Sequence, residues 1–229
     1  MLVLVFDTET TGLPASKILN PDTLNLWPYI VQFSYIVYDT DKKDIVLSSD
    51  TIVKLKNDII IPEESINIHG ITNEMSQKEG TSINVILTEF FQHLRNVDLL
   101  VGHNVSFDIN MVKVELLRII YDNSSLSEIK AYKFDLHFFT NYTNIYCTLH
   151  ESIDLCNIKG VTKFGKEYIK YPKLLELHQK LFESVPNNLH NSLNDILVTL
   201  RCFMKLKYDV DLNKTCDTFI KTAKTLKIF

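Results

Sequence analysis

Glycine and proline are scarce, with 6 of each among 229 residues. That excludes a collagen-like or low-complexity chain. Long apolar runs are missing as well, and no stretch has the length needed to cross a bilayer. An excess of positive charge is also absent. Lys plus Arg number 24 against 28 Asp plus Glu, a formal net charge of -4, so no global basic field gathers polyanions. Any polyanion has to be held locally, through metal and a few donors. The 4 cysteines, Cys147, Cys156, Cys202 and Cys216, form no CxxC pair. Buried free thiols are favoured over disulfides or zinc. The chain opens on a strand signal, without a basic n-region or a cleavable apolar segment. This predicts a soluble intracellular protein, cytoplasmic or nuclear and not secreted, without membrane contact. The acceptor-like triplets at Asn104, Asn123, Asn141 and Asn213 then read as chance matches.

What is present predicts a folded domain. Hydrophobic residues make up 45% and charged residues 23%, enough for a sizeable core and too apolar for disorder. No repeat or linker divides the chain. The expected organisation is one domain over 1–208, with 209–229 as a C-terminal extension packed on it and weakly helical.

Val3-Leu4-Val5-Phe6 reads as a buried strand over residues 2–7. Two further strands follow, Ile30–Tyr38 and Ile45–Leu55, joined by the polar turn at 39–44 into an antiparallel meander. Residues 14–28, with Pro14, Pro21 and Pro28, read as a loop beside the first strand. Its Trp27, the only tryptophan, is expected either to meet a base or to plug the core. Asn67–Thr72 reads as a short turn around His69-Gly70. Helical spacing marks Ser82–Arg95, with Ile83, Ile86, Leu87, Phe90, Phe91 and Leu94. A short strand follows at Asp98–Gly102, then a helix from Ser106 to Tyr121. Asp122–Ser125 reads as a loop, 122–170 as largely unassigned, and 160–170 as an exposed lysine-bearing connection, where Lys159, Lys163, Lys166 and Lys170 read first as a solvated face and second as contacts to backbone phosphates. Helices follow at Leu174–Phe182 and Ser192–Lys205. A meander followed by alternating helix and strand is an α/β layout with a mixed β-sheet and flanking helices.

The first strand runs straight into Asp7-Thr8-Glu9. Alternation puts Asp7 and Glu9 on one face. Two carboxylates there repel each other unless a cation sits between them. Alone, the pair reads as a solvated strand end. Two more segments change that. Asp108 stands in the first turn of a helix, where the dipole favours a carboxylate. Asp195 lies near the apolar stripe of the last long helix. His190, five residues earlier, is off that helical face and belongs to the loop or cap before it. Four carboxylates and one histidine suit two hard divalent cations, Mg²⁺ or Mn²⁺, plus one base.

These segments resemble a family. Asp7-Thr8-Glu9-Thr10-Thr11-Gly12-Leu13, His103-Asn104-Val105-Ser106-Phe107-Asp108 and His190-Asn191-Ser192-Leu193-Asn194-Asp195 are similar to the three motifs of the DEDDh branch of the DnaQ-like 3′–5′ exonucleases. Tyr29-Ile30-Val31-Gln32, Ile68-His69-Gly70-Ile71-Thr72 and Pro172–His178 add to the resemblance, which covers roughly residues 2–205 in order. It implies the ribonuclease H-like fold. It also implies two metals on Asp7, Glu9, Asp108 and Asp195, and His190 as base. For the 3′ end it implies contacts at Thr8, Thr10, Leu13, Ile68, His69, Asn104 and Phe107. The chain departs from the family in its longer 14–28 segment and in Cys147-Thr148, where many members carry an aspartate.

The resulting expectation is a metal-dependent 3′–5′ exonuclease acting on single-stranded or frayed DNA and releasing 5′-nucleotides. RNA trimming is the second reading. A catalytically idle nuclease-like module is the third, and the presence of all five residues counts against it. The expected partners are a nucleic acid 3′ end and a polymerase or another replication or repair protein.

Overall fold

The computed structural model describes residues 1–122 and 125–229. A five-stranded mixed sheet has the order β3-β2-β1-β4-β5. Its strands are β1 (Leu2–Thr10), β2 (Ile30–Asp39), β3 (Asp44–Ile52), β4 (Leu99–Gly102) and β5 (Ile145–Cys147). The first three pair as an antiparallel meander, and β1, β4 and β5 run parallel. The carboxyl ends of the three parallel strands therefore share one edge of the sheet.

Both faces of the sheet are covered, which is why β1 and β2 read as near-continuous apolar runs. Leu4 and Phe6 face a cluster containing residues of α3 (Ile83–Leu94), α4 (Val105–Tyr121) and α5 (Leu126–Thr140). Val3 and Val5 face the other cluster, filled by Ile196, Leu197, Leu200 and Phe203 of α9 (Ser192–Tyr208). The segment 209–229 contributes α10 (Leu212–Thr215) and α11 (Asp217–Thr225), and its Leu212, Phe219, Ala223 and Ile228 are buried in that second cluster. These four residues are part of the core.

Several connections differ from the sequence reading. The turn at His69-Gly70 joins two short helices, α1 (Glu63–His69) and α2 (Asn73–Glu79). Gly70 supplies the left-handed residue (φ 76°) that ends α1, and Thr72 caps α2 through its hydroxyl. Both helices are too short to print a 3.6-residue stripe on the sequence. α5 also went unread, because it buries only Tyr132, Asp135 and Phe139 on its described face. Asp135 ion-pairs with Arg95 at the end of α3. The expected loop at 122–125 lies partly outside the described residues. The 148–182 stretch holds α6 (Thr148–Glu151), α7 (Ile153–Cys156), a small hairpin of β6 (Lys159–Val161) and β7 (Glu167–Ile169), and α8 (Leu174–Phe182).

The 14–28 segment is not a free aromatic arm. It contains a 3-10 helix at Pro21–Leu26 capped by Asn20. Trp27 is only 6% exposed, and its indole N–H donates to the Ile18 carbonyl at 3.1 Å. Arg118 of α4 donates to the carbonyls of Leu24, Trp27 and Pro28 at 2.7–2.9 Å. It also pairs with buried Glu115 and lies over the Tyr29 ring. Burying the indole with its one donor satisfied removes far more apolar area than an exposed stacking role would. Of the two expectations for Trp27, the core one holds. All four cysteines are free thiols. Among the described residues no helix is long and apolar enough to cross a membrane.

Candidate active site

β1 outruns its parallel neighbour. Its pairing with β4 ends at Val5–Val101, and its register with β2 shifts between Glu9 and Thr10. Such a bulge re-aims side chains at a sheet end. The chain leaves β4 through Gly102, where a Cβ would stand 2.8 Å from a methyl carbon of Val105. The tight exit starts α4 at once. Asn104 caps it in the left-handed region (φ 63°), and Asp108 falls in its first turn.

On the α9 face, Asp7, Glu9 and Asp195 each offer a carboxylate oxygen, and the three oxygens lie within 4.8 Å of one another. α9 is held in place from the meander. Ser192 meets the Ser34 hydroxyl at 2.5 Å and donates its N–H to Gln32 at 3.2 Å. Asp50 of β3 accepts from both Gln32 and Ser34. The sequence reading missed this polar bracket, because Gln32, Ser34 and Asp50 look like ordinary strand polars. Asp108 is brought to the same edge from the other side. It is 3% exposed, and its Oδ1 accepts the Thr8 N–H at 3.0 Å and the Thr8 hydroxyl at 2.7 Å.

The electrostatics follow from this crowding. Burial, then the charges of Asp108, Asp195 and Glu9, push the Asp7 carboxyl well above its ordinary pKa. Glu9 is pushed up to about 8, first by burial and then by Asp195 and Asp108. Burial likewise raises Asp108, against the Thr8 hydrogen bonds, and raises Asp195, against the His190 N–H. Asp195 Oδ1 is buried without any hydrogen-bond partner. A group of mutually repelling carboxylates with an orphaned oxygen is what a hard divalent cation satisfies. The donor set, all oxygen, fits Mg²⁺ or Mn²⁺ better than a softer ion.

His190 sits on the exposed loop before α9, in the left-handed region (φ 69°), and its N–H donates to Asp195 Oδ2 at 3.3 Å. An open cleft of about 490 Å³ separates this loop from the end of α1, with Ile68, His69, Asn188, His190 and Asn194 on its walls. Asn188 and Asn194 were not foreseen. Asn194 donates to the Asn188 carbonyl at 2.7 Å, and Asn188 reaches the carbonyls of Leu226 and Lys227. Buried His69 accepts from the Ile71 N–H, and its Nε2 makes no hydrogen bond of normal geometry. Burial holds this imidazole below its ordinary pKa, against the Thr10 carbonyl. Ile68 is exposed on the cleft wall, and Leu13, just past β1, is 86% exposed. Phe107 is half-buried against the core, Asn104 is exposed at the helix cap, and Thr10 donates to the Gly12 carbonyl. Thr8 is buried and committed to Asp108.

The mixed sheet with helices on both faces and acids at its parallel edge is the ribonuclease H-like fold. Solved structures agree. Exonuclease I from Methylocaldum szegediense aligns with a TM-score of 0.58 at 15% identity, over 93% of this chain and 42% of that one. E. coli exonuclease I in complex with a dT13 oligonucleotide aligns at 0.57 and 16%, over 93% and 42%. Its complex with dA16 aligns at 0.54 and 14%, over 98% and 43%. The chain thus spans about two fifths of the length of these structures. The RNase_T model, described as exonuclease, matches residues 4–203. The chain belongs to this exonuclease family, within the DnaQ-like group. No curated protein sequence matches it.

Proposed function

We propose that the chain is a metal-dependent 3′–5′ exonuclease that removes 5′-nucleotides from single-stranded or frayed DNA. The observation that carries this reading is the acid cluster of Asp7, Glu9 and Asp195, with an orphaned Asp195 oxygen, beside an exposed histidine on a cleft wall. Asp7, Glu9, Asp108 and Asp195 would hold two divalent cations. Those cations would supply charge neutralisation of the scissile phosphate and activation of water. The chain's own residues supply the rest. The Ile68–His69 wall and the exposed Leu13 receive the terminal nucleotide, stacking on its base without reading sequence. His190 accepts a proton from the attacking water as its oxygen bonds to phosphorus. The P–O3′ bond breaks and the departing O3′ takes a proton from solvent, leaving a nucleoside 5′-monophosphate and a strand one unit shorter with a 3′-hydroxyl. Asp195, which accepts the His190 N–H, fixes the loop that carries the base. The DNA preference is supported by the dT13 and dA16 oligonucleotides held by the E. coli structures.

The test uses single-stranded DNA, duplex DNA and RNA, each 5′-labelled, with Mg²⁺. A ladder of single-nucleotide losses from the 3′ end, fastest on single-stranded DNA and abolished by EDTA, is expected. Internal cuts, loss from the 5′ end, or no hydrolysis with Mg²⁺ or Mn²⁺ would overturn the reading.

A further inference from the structure

We propose that the β6–β7 hairpin is a docking arm for the nucleic-acid strand behind the 3′ end, an inference that rests on the exonuclease reading. The arm's charge is opposite to that of the protein. Between Lys159 and Lys173 stand five lysines and one glutamate, a local excess of +4 in a chain whose total is -4. The strands are only three residues each, Lys159–Val161 and Glu167–Ile169. A hairpin of that size makes almost no core and is marginal on its own.

Its surface is equally out of place for a solvated turn. Phe164 at the tip is 85% exposed, and Val161, Tyr168, Ile169 and Tyr171 are exposed along the arm. Lysines and aromatics alternate there, a composition that tracks a backbone of phosphates while stacking bases. Lys170 is tied to Glu176 at 2.6 Å, and Lys159 faces Glu167 only at 4.0 Å. Lys163 lies over the Phe164 ring, and among the described residues neither Lys163 nor Lys166 makes an ion pair. Both cations at the tip are thus outside the ion pairs of the described residues.

The turn is built to present them. Gly165 takes the left-handed conformation (φ 78°) and donates to the Thr162 carbonyl, and the Lys166 N–H is held by the Thr162 hydroxyl at 3.1 Å. Across the ladder the Tyr168 ring covers Gly160, where a Cβ would stand 2.7 Å from the ring. The root is fixed next to the acid cluster. His103 contacts Thr148 at 2.9 Å and the Pro172 carbonyl at 3.0 Å through its two ring nitrogens. It lies five positions before Asp108, at the carboxyl end of β4. From that root the arm reaches on the order of 20 Å, at about 3.3 Å per extended residue, a span of several nucleotides.

The occupant we commit to is single-stranded DNA, chosen by charge complementarity. The experiment compares the native protein with Lys163→Ala/Lys166→Ala and with Phe164→Ala, all exposed positions, their folding checked by circular dichroism. Affinity for a fluorescent dT oligomer of about twenty nucleotides is read in EDTA, where nothing is cut, across a salt series. The double lysine variant is expected to bind roughly 10-fold more weakly, with a salt slope shallower by about 1.4, two single-strand contacts. Phe164→Ala is expected to weaken binding by about 10-fold with its slope kept. With Mg²⁺, the native ratio of kcat/KM on the twenty-nucleotide strand to that on a three-nucleotide strand should shrink in all variants. Native affinity and slope in the variants, a native ratio, or no binding by the native protein would overturn the arm. A native protein that cuts nothing yet binds through the arm would overturn the exonuclease reading alone.

Discussion

Thr8 gives both of its donors to one oxygen: its N–H at 3.0 Å and its hydroxyl at 2.7 Å both reach Asp108 Oδ1. Sheet pairing leaves that N–H free, because β4 has already ended where Thr8 stands. A carboxylate on α4 thus completes the hydrogen bonding of β1, and Oδ2 stays outside both of these bonds.

Thr8→Val keeps the shape and removes the hydroxyl. Asp108 would then hold its proton more tightly. The Mg²⁺ concentration for half-maximal activity should rise by about 10- to 100-fold, the usual effect of removing a partner from a metal-ligating group. A metal titration of variant and native protein decides the point; an unchanged midpoint would mean that Asp108 takes no part in metal binding.

The acids hold apart two quantities that normally fall together. Asp7→Asn, Glu9→Gln or Asp195→Asn should nearly abolish hydrolysis. In EDTA the same variants should melt about 2–8 °C higher than the native protein, since each removes a carboxyl that must either take up a proton or repel its neighbours on folding. Substantial activity in Asp195→Asn would remove it from the cluster's function, and a lowered melting temperature would show that the charges do not repel as described.

Stability without metal should fall as pH rises. Glu9 binds its proton up to about pH 8 in the folded chain, against an ordinary value of about 4.3 when unfolded. The folded state therefore holds protons that the unfolded state has released, and this stabilisation is lost as pH passes through the folded value. Part-buried His103 and buried His178 are each held down to about 4, chiefly by desolvation, and oppose the trend only below about 6.5. The window for the acids is thus about pH 6.5 to 9. Melts across it should decline in EDTA, and the gain from Mg²⁺ should widen with pH. A gain that narrows with rising pH would contradict the assignment.

His190 needs a replacement that tolerates its left-handed backbone. Asparagine does so better than alanine. His190→Asn should slow turnover by roughly 10²–10⁴-fold with little change in strand affinity. Equal losses in rate and affinity would make His190 a binding residue instead.

Trp27→Ala should lower stability by about 3–5 kcal/mol, the usual cost of deleting a buried indole. Affinity for single-stranded DNA should hardly move. A large loss of affinity with unchanged melting would return the 14–28 segment to the substrate.

Much of the fold could be read in advance because the relevant segments carry strong periods. β2 is buried throughout, and the Phe90, Phe91 and Leu94 stripe left little choice for α3. The acid motifs were legible because carboxylates after an apolar strand have no packing reason to be there. Trp27 was not legible, since the carbonyl that its indole N–H meets, that of Ile18, lies nine residues back and leaves no local pattern. The Thr8–Asp108 link spans 100 residues and the Ser34–Ser192 link 158. No local period reports such bonds. The hairpin read as a solvated lysine stretch until its ladder put Tyr168 against Gly160.

α9 packs the core on one face of the sheet and also delivers Asp195 to Asp7 and Glu9 near the carboxyl end of β1. The cluster therefore has no partial form. A chain missing that helix's packing keeps Asp7 and Glu9 but has nothing to bring the third carboxylate, and such long-range closure is slow to form. Cation affinity and global unfolding should rise and fall as a single cooperative transition. A nascent or damaged molecule would then carry no hydrolytic centre, so any nuclease capacity is confined to chains that have finished folding.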